Sequence, residues 1–171
     1  MRAIVLVGLI IFISVPVFAM GEDERVIQVR ASGDLMPRPG LREGAGLGLA
    51  LARGLSDSLG MRVAADLAWL RKQGETSHLI SNFSLCVSLA MDVLSWVPYA
   101  DLGLLVTDFR SRNHSSQWLG TRMEAGIEYL FSPRTLFTIA ARSDWLVVHL
   151  AGDQSTRPIH LAVLFGAARL F

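Results

Sequence analysis

Residues 79–92, LISNFSLCVSLAMD, divide by parity. Leu79, Phe83, Leu85, Val87, Leu89 and Met91 fall on one side, and Asn82, Ser84, Cys86, Ser88, Ala90 and Asp92 on the other. A helix would mix the two sets, whereas a strand, whose side chains alternate, keeps them apart. The stretch therefore reads as a β-strand with one bulky apolar face and one small, polar face.

The same reading extends in both directions. Residues 119–130 set Leu119, Met123, Ala125, Ile127 and Tyr129 against Gly120, Arg122, Glu124, Gly126 and Glu128, so charge lies on one side only. Residues 59–70 set Leu59, Met61, Val63, Ala65, Leu67 and Trp69 against Arg62, Ala64, Asp66 and Ala68. In residues 46–52, Leu47, Leu49 and Leu51 oppose Gly46, Gly48, Ala50 and Ala52. Those small residues suit a face crowded by its neighbours. In residues 97–107, Ala100, Leu102, Leu104 and Val106 oppose Tyr99, Asp101, Gly103 and Thr107. In residues 136–147, Phe137, Ile139, Ala141, Trp145 and Val147 oppose Thr138, Ala140, Arg142 and Asp144. Residues 158–171 carry Ile159, Leu161, Val163, Phe165 and Phe171 on one parity, together with Ala167 and Arg169. A weaker first strand spans 25–33, with Ile27, Val29 and Ala31 against Gln28, Arg30 and Ser32.

Eight strands result, joined alternately by tight and long connections. Arg53–Ser58, Asp92–Ser95 and Phe131–Arg134 are short, while Asp34–Arg42, Arg71–Ser77, Asp108–Gln117 and Ala151–Arg157 are longer and more polar. An even number of antiparallel strands with short turns at one end and long loops at the other is the layout of a transmembrane β-barrel. The predicted fold class is an all-β, eight-stranded, antiparallel, up-and-down transmembrane barrel. A soluble lipocalin-like periplasmic carrier is the inverted alternative, but a closed eight-stranded barrel has little room inside for so many bulky side chains. Apolar faces turned inward would also leave Arg62, Arg122 and Arg142 in hydrocarbon, at roughly 2–4 kcal/mol each near the midplane. In lipid the sheet must close, because an unpaired edge there leaves backbone amides unsatisfied.

The chain has 171 residues, of which 51% are hydrophobic and 18% charged, with a formal net charge of +1. This near-neutral balance removes the electrostatic ground for a nucleic-acid partner. The only long apolar run is N-terminal. Met1-Arg2, the apolar stretch Ala3–Ile13, Pro16 and Val17-Phe18-Ala19 read as a secretory signal cleaved after Ala19. Residues 1–19 are thus a signal peptide and 20–171 a single barrel domain. Ala3–Met20 is long enough to serve instead as an anchor, but Pro16 breaks the helix beside the cleavage position. Cys86 is the only cysteine, so no disulfide framework staples the exported domain.

With both termini periplasmic, Trp69, Trp118 and Trp145 fall at the loop end, and Trp96, Tyr129, Phe131 and Phe171 at the turn end. These are read as two aromatic girdles, with Trp69, Trp96, Trp118, Tyr129 and Trp145 as their principal members. The chain resembles the small outer-membrane β-barrel proteins of Gram-negative bacteria, the OmpA-barrel and OmpW-like group. The resemblance covers the whole mature chain. Val97-Pro98-Tyr99-Ala100-Asp101-Leu102-Gly103, Gly126-Ile127-Glu128-Tyr129-Leu130-Phe131-Ser132-Pro133 and the terminal Phe171 carry it. It implies that the last strand, through Gly166 and Phe171, is the assembly signal read by the barrel-insertion machinery. Arg169 departs from the pattern, standing where an aromatic or aliphatic residue is usual. So near the interface its head group can snorkel to water.

Arg62, Asp66, Asp101, Arg122, Glu124, Glu128, Arg142 and Asp144 are expected to face the lumen as a network of mixed sign. Such groups form either a plug of ion pairs or a polar path for small solutes, since an unpaired buried charge is costly. Glu124 and Glu128 stand about 13 Å apart along a strand, too far for shared acid–base chemistry. His114-Ser115-Ser116, with Glu128 downstream, resembles the pattern of outer-membrane lipid A deacylases. There, however, the acid lies on the last strand, and here strand geometry separates His114 from Glu128 by tens of ångströms. His78, His149 and His160 are scattered without ligand spacing, Cys86 reads as a lumen filler, and Gly46-x-Gly48 as packing. No catalytic residue, metal or cofactor is expected. Arg38, Arg42, Arg71, Lys72, Arg110, Arg112 and Arg157 load the outer connections with positive charge able to meet lipopolysaccharide phosphates. The expected protein is a non-enzymatic, monomeric outer-membrane barrel with a structural or surface-binding role. Its partners are outer-membrane lipid, lipopolysaccharide and the insertion machinery, and a passive channel for small or hydrophobic solutes is the alternative function.

Overall fold

The computed structural model describes residues 25–37, 42–56, 58–71, 77–91, 95–111, 115–152 and 159–171. Alternating side chains produce eight strands: β1 (Arg25–Met36), β2 (Arg42–Gly54), β3 (Leu59–Arg71), β4 (His78–Ala90), β5 (Trp96–Arg110), β6 (Ser115–Ser132), β7 (Thr135–Gly152) and β8 (Ile159–Leu170). They pair in chain order, antiparallel throughout, and β8 returns to β1 to close the barrel. The closing register runs from Val26↔Leu170 to Leu35↔Leu161, and the Phe171 N–H donates to the Arg25 carbonyl at 3.0 Å. No sheet edge remains, which hydrocarbon demands. The signal segment 1–19 lies outside the described residues.

The barrel is inside-out relative to a soluble protein. Apolar side chains of every strand are exposed, among them Val29, Leu47, Leu67, Val87, Leu102, Met123, Ile139 and Phe165. The charged residues are buried inside. A lipocalin-like arrangement would have the opposite sense, so the inverted alternative is not the one this chain adopts. The exterior is a lipid-facing surface, and the barrel is transmembrane.

The strands are longer than alternation alone indicates. β1 continues to Met36, so Asp34 is a lumen-facing strand residue and not part of a loop. Met36 extends the strand because it packs inward against Ala68, Leu70 and Ile80. Arg42, Arg71 and Arg110 are likewise terminal strand residues. β6 and β7 are the longest strands, and β7 slips twice near its outer end: Gln117↔Ala151 is followed by Trp118↔His149, and Leu119↔Val148 by Gly120↔Leu146. Leu150 and Val147 are the extra residues, and such bulges re-aim side chains near barrel rims. As a result Val147 and Val148 are both exposed.

Inside, apolar layers lie above and below the charges. At the turn end Val26, Leu136, Ala168 and Leu170 pack together with Leu130. At the loop end Met36, Ala68, Leu70 and Ile80 form one cluster and Leu105, Trp118 and Leu146 another, with Phe109 against both. Placing a charge on the outer face tests the lipid reading. Leu102, mid-band on β5, is expected to lose about 2–4 kcal/mol on Leu102→Arg, and far less on Leu102→Val. Urea unfolding of the barrel in lipid vesicles measures both; equal costs would show that the outer face does not meet hydrocarbon.

Candidate functional site

The site is the charged centre of the lumen, built by parity and register. Strand alternation puts Arg30 and Asp34 of β1, Arg62 and Asp66 of β3, Asp101 of β5, Arg122, Glu124 and Glu128 of β6, Arg142 and Asp144 of β7 and His160 of β8 inside, all buried. Register then decides which of them meet. Asp101 stands opposite Glu124, Glu124 opposite Arg142, Arg122 opposite Asp144, and Asp144 opposite His160.

Asp66 is the hub. Its Oδ1 accepts from Arg30 at 2.9 Å, and its Oδ2 from Arg122 at 2.7 Å and Arg142 at 2.8 Å. Arg30 also donates to both carboxylate oxygens of Glu124 at 3.0 Å. Arg122 grips Asp144 with two nitrogens, at 2.7 and 3.0 Å, and donates to Ser84 at 2.8 Å. Arg142 continues toward the loop end, 3.3 Å from Asp34 and 3.4 Å from Asp144. The ring of His160 lies between the same two carboxylates, Nε2 2.9 Å from Asp34 and Nδ1 3.2 Å from Asp144.

Toward the turn end Arg62 takes over. It lies 3.0 Å from Glu128, 3.2 Å from Asp101 and 3.7 Å from Glu124, and its guanidinium sits over the Tyr99 ring, 4.3 Å from the centroid. The Tyr99 hydroxyl donates to Glu124 at 2.8 Å, linking the two halves. Gln28 donates to Thr138 at 2.5 Å over the intervening β8. Small residues make this possible: a Cβ at Gly48 would overlap the Asp66 carboxylate, and one at Gly126 would stand 2.9 Å from the Tyr99 ring. Gly166 has the same local use, its space being taken by the Gln28 amide. When buried, charges that share several opposite partners and hydrogen bonds offset the loss of solvation that isolated charges could not.

All eight residues expected in the lumen are there and joined in one network. Arg30, Asp34 and His160 complete it. The alternation of residues 25–33 already put Arg30 inside, but the weak first strand gave it no partner and ended before Asp34. His160 is thus drawn into the network, while His78 begins β4 and His149 stacks edge-on with Trp118 at 4.9 Å. Cys86 is buried on the lumen face.

The girdle assignment needs one correction. Trp69, Trp96 and Trp145 are exposed on the outer face, and Tyr129 packs against Trp96 with ring centroids 4.5 Å apart. Trp118 is 3% exposed and points inward. It shares the even parity of Arg122 and Glu124; its height along β6 matches the girdle, but parity decides the face. Phe171 is exposed at the turn end, with the Arg169 guanidinium 5.7 Å from its ring centroid.

Of the deacylase pattern, Ser116 and Glu128 are among the described residues and stand far apart on β6. His114 lies outside the described residues, and Glu128 is committed to Arg62 inside the barrel. Twelve residues of one extended strand, about 40 Å, separate Glu128 from Ser116.

This architecture is that of the small eight-stranded outer-membrane barrels. Neisserial surface protein A has a similar structure, with a TM-score of 0.71 at 14% identity, covering 86% of this chain and 99% of that one. Ail of Yersinia pestis in complex with the heparin analogue sucrose octasulfate gives 0.59 at 14% identity over 88% and 99% of the two chains. The outer-membrane enzyme PagL gives 0.58 at 15% over 82% and 97%. At such identities the likeness is one of fold. No family model matches the chain, and no curated relative does.

Asp66→Ala takes one carboxylate partner from three guanidiniums at once and is expected to cost about 3–5 kcal/mol, the range for breaking a buried ion pair. Glu128→Gln, which removes one partner of Arg62, is expected to cost clearly less. Urea titration followed by tryptophan fluorescence compares the two, and equal losses would contradict a hub at Asp66.

Proposed function

We propose that the chain is an exported outer-membrane barrel with a structural or surface-binding role and no enzymatic activity. One observation carries this reading: the charged groups of the described lumen are buried and paired with one another. Four arginines, six carboxylates and His160 interlock at its centre, with apolar layers toward both ends. A solute path would have to break that network, whose buried charges are costly to separate. Function then falls to the outer surface and the loops.

The loop end supports a surface role. Arg42, Arg71 and Arg110 stand at strand ends there, with Arg110 held by Asp108 at 2.6 Å. Arg38, Lys72, Arg112 and Arg157 belong to connections outside the described residues. This excess of positive charge suits lipopolysaccharide phosphates. The Ail complex with sucrose octasulfate is a precedent, in a barrel of similar fold, for holding a polyanion. Because PagL shares the fold, the fold does not decide about catalysis; what supports a non-enzymatic reading is the wide separation of Ser116 and Glu128.

The rest follows the same reading. The segment 1–19 is removed on export, the barrel works as a monomer, and Gly166 with Phe171 presents the last strand to the insertion machinery. Fractionation with a heat-modifiability gel is expected to place the protein in the outer membrane, with mobility that shifts on boiling. Planar bilayers carrying it are expected to stay silent at all voltages. Discrete conductance steps would replace the structural reading with a channel, and release of acyl chains from lipid A would make it an enzyme. Phe171→Ala is expected to lower the inserted fraction several-fold; normal accumulation would remove the assembly role from Phe171.

A further inference from the structure

The lumen face of β8 alternates in size. Its inward positions are His160, Ala162, Leu164, Gly166, Ala168 and Leu170. Register places Ala162 between Asp34 of β1 and Arg142 of β7, and those two side chains meet across it at 3.3 Å. Gly166 stands opposite Thr138, which accepts from Gln28 of β1 at 2.5 Å, and a Cβ on Gly166 would come within 3.1 Å of the Gln28 amide nitrogen. β1 and β7 are thus bridged twice over β8, each time over a small residue. Between the bridges the sizes reverse: Leu164 is flanked by Ser32 and Ala140 and packs with Ala140 and Tyr99.

Neither the backbone ladder nor the outer wall fixes where β8 sits along its neighbours. The ladder repeats every two residues, and a shift of two, about 7 Å, leaves Leu161, Val163, Phe165 and Ala167 facing lipid. A shift of one is already forbidden, since it would turn the whole apolar set inward. The lumen decides between the registers that remain. Moved one way, Leu164 takes the place of Ala162 beneath Asp34–Arg142. Moved the other way, Leu164 takes the place of Gly166 beneath Gln28–Thr138, and His160 takes the place of Ala162. A close-packed interior takes up such bulk only by straining side chains or breaking the bridges. We infer that the two β1–β7 bridges are a register lock, which closes the barrel with Val29 opposite Ala167 and excludes the neighbouring registers. The lock acts in the finished wall, independently of any reading of Gly166 by the insertion machinery.

The test refolds the protein from urea into phosphatidylcholine vesicles without that machinery, with Cys86→Ser and one pair of introduced cysteines. Val29→Cys/Ala167→Cys reports the native register, Val29→Cys/Arg169→Cys the first shift and Val29→Cys/Phe165→Cys the second. Oxidation with lipid-permeant copper phenanthroline, followed by a gel, reads the cross-linked fraction of the heat-modifiable band. The native pair is expected to cross-link and both shifted pairs to stay at background. Leu164→Ala removes the bulk that blocks the first shift. It is expected to raise the Val29→Cys/Arg169→Cys cross-link at least about tenfold and to leave the Val29→Cys/Phe165→Cys pair at background, because His160 still blocks the second shift. Leu136→Ala, an equally buried deletion of the same size on β7, is expected to leave all three pairs unchanged. Shifted cross-links before any change in the lumen, no rise with Leu164→Ala, or an equal rise with Leu136→Ala overturns the lock. If Leu164→Ala yields no folded barrel, Gly166→Leu decides: its folded fraction is expected to fall several-fold and to recover when Gln28→Ala clears the slot, and failure to recover overturns the inference.

Discussion

Asp66 sits between three guanidiniums, and the rest of the barrel is arranged so that it can. A charge buried in the protein loses the solvation of bulk water, so each charged group buried in the lumen gains from a counter-charge within the protein. That requirement reaches outward from Asp66. Arg30 brings in Glu124, Arg122 and Arg142 bring in Asp144, and Arg142 brings in Asp34. It also dictates where bulk is forbidden. From Gly44 to Gly54 β2 contributes no charge to the lumen; its glycines and alanines leave the room into which the side chains of β1 and β3 extend, as the Asp66 carboxylate against Gly48 shows.

Face and partnership were unequally legible in the residues. Strict alternation told which side chains of 59–70, 79–92 and 119–130 point inward, because period two is a property of each strand alone. Which of them touch depends on register and on the tilt of strands around a closed barrel, and neither is written in a single strand. Thus Arg30 was visible on the inner face but not as the partner of Asp66, 36 positions away. His160 looked isolated in sequence and lies between two carboxylates contributed by β1 and β7. Asp34 had the composition of a turn, yet the inward packing of Met36 keeps β1 extended past it.

Trp118 shows how two valid signals compete. An aromatic near a strand end suggests the membrane interface, whereas even parity on β6 assigns it to the lumen. Parity prevails because turning the indole outward would take Arg122 and Glu124 with it. The two bulges on β7 admit the ring: they shift His149 into register beside it and leave Val147 and Val148 on the surface. The chain thus spends regularity at its loop end, where the ladder can break without exposing amides to hydrocarbon.

The two ends of the lumen are lined by different apolar groups. At the turn end aliphatic side chains of β1, β7 and β8, the strands that also close the barrel, pack together. At the loop end Met36 and Ile80 belong to one cluster and Leu105 and Trp118 to another, with Phe109 against both. Water entering between them would meet apolar side chains before the central charges. An interior whose arginines and carboxylates are paired with one another offers a charged solute little that is not already engaged. The outside differs: there the apolar side chains of all eight strands stand exposed, so the surface this barrel turns to its surroundings is the outer wall, while its charged groups are turned to one another in the lumen.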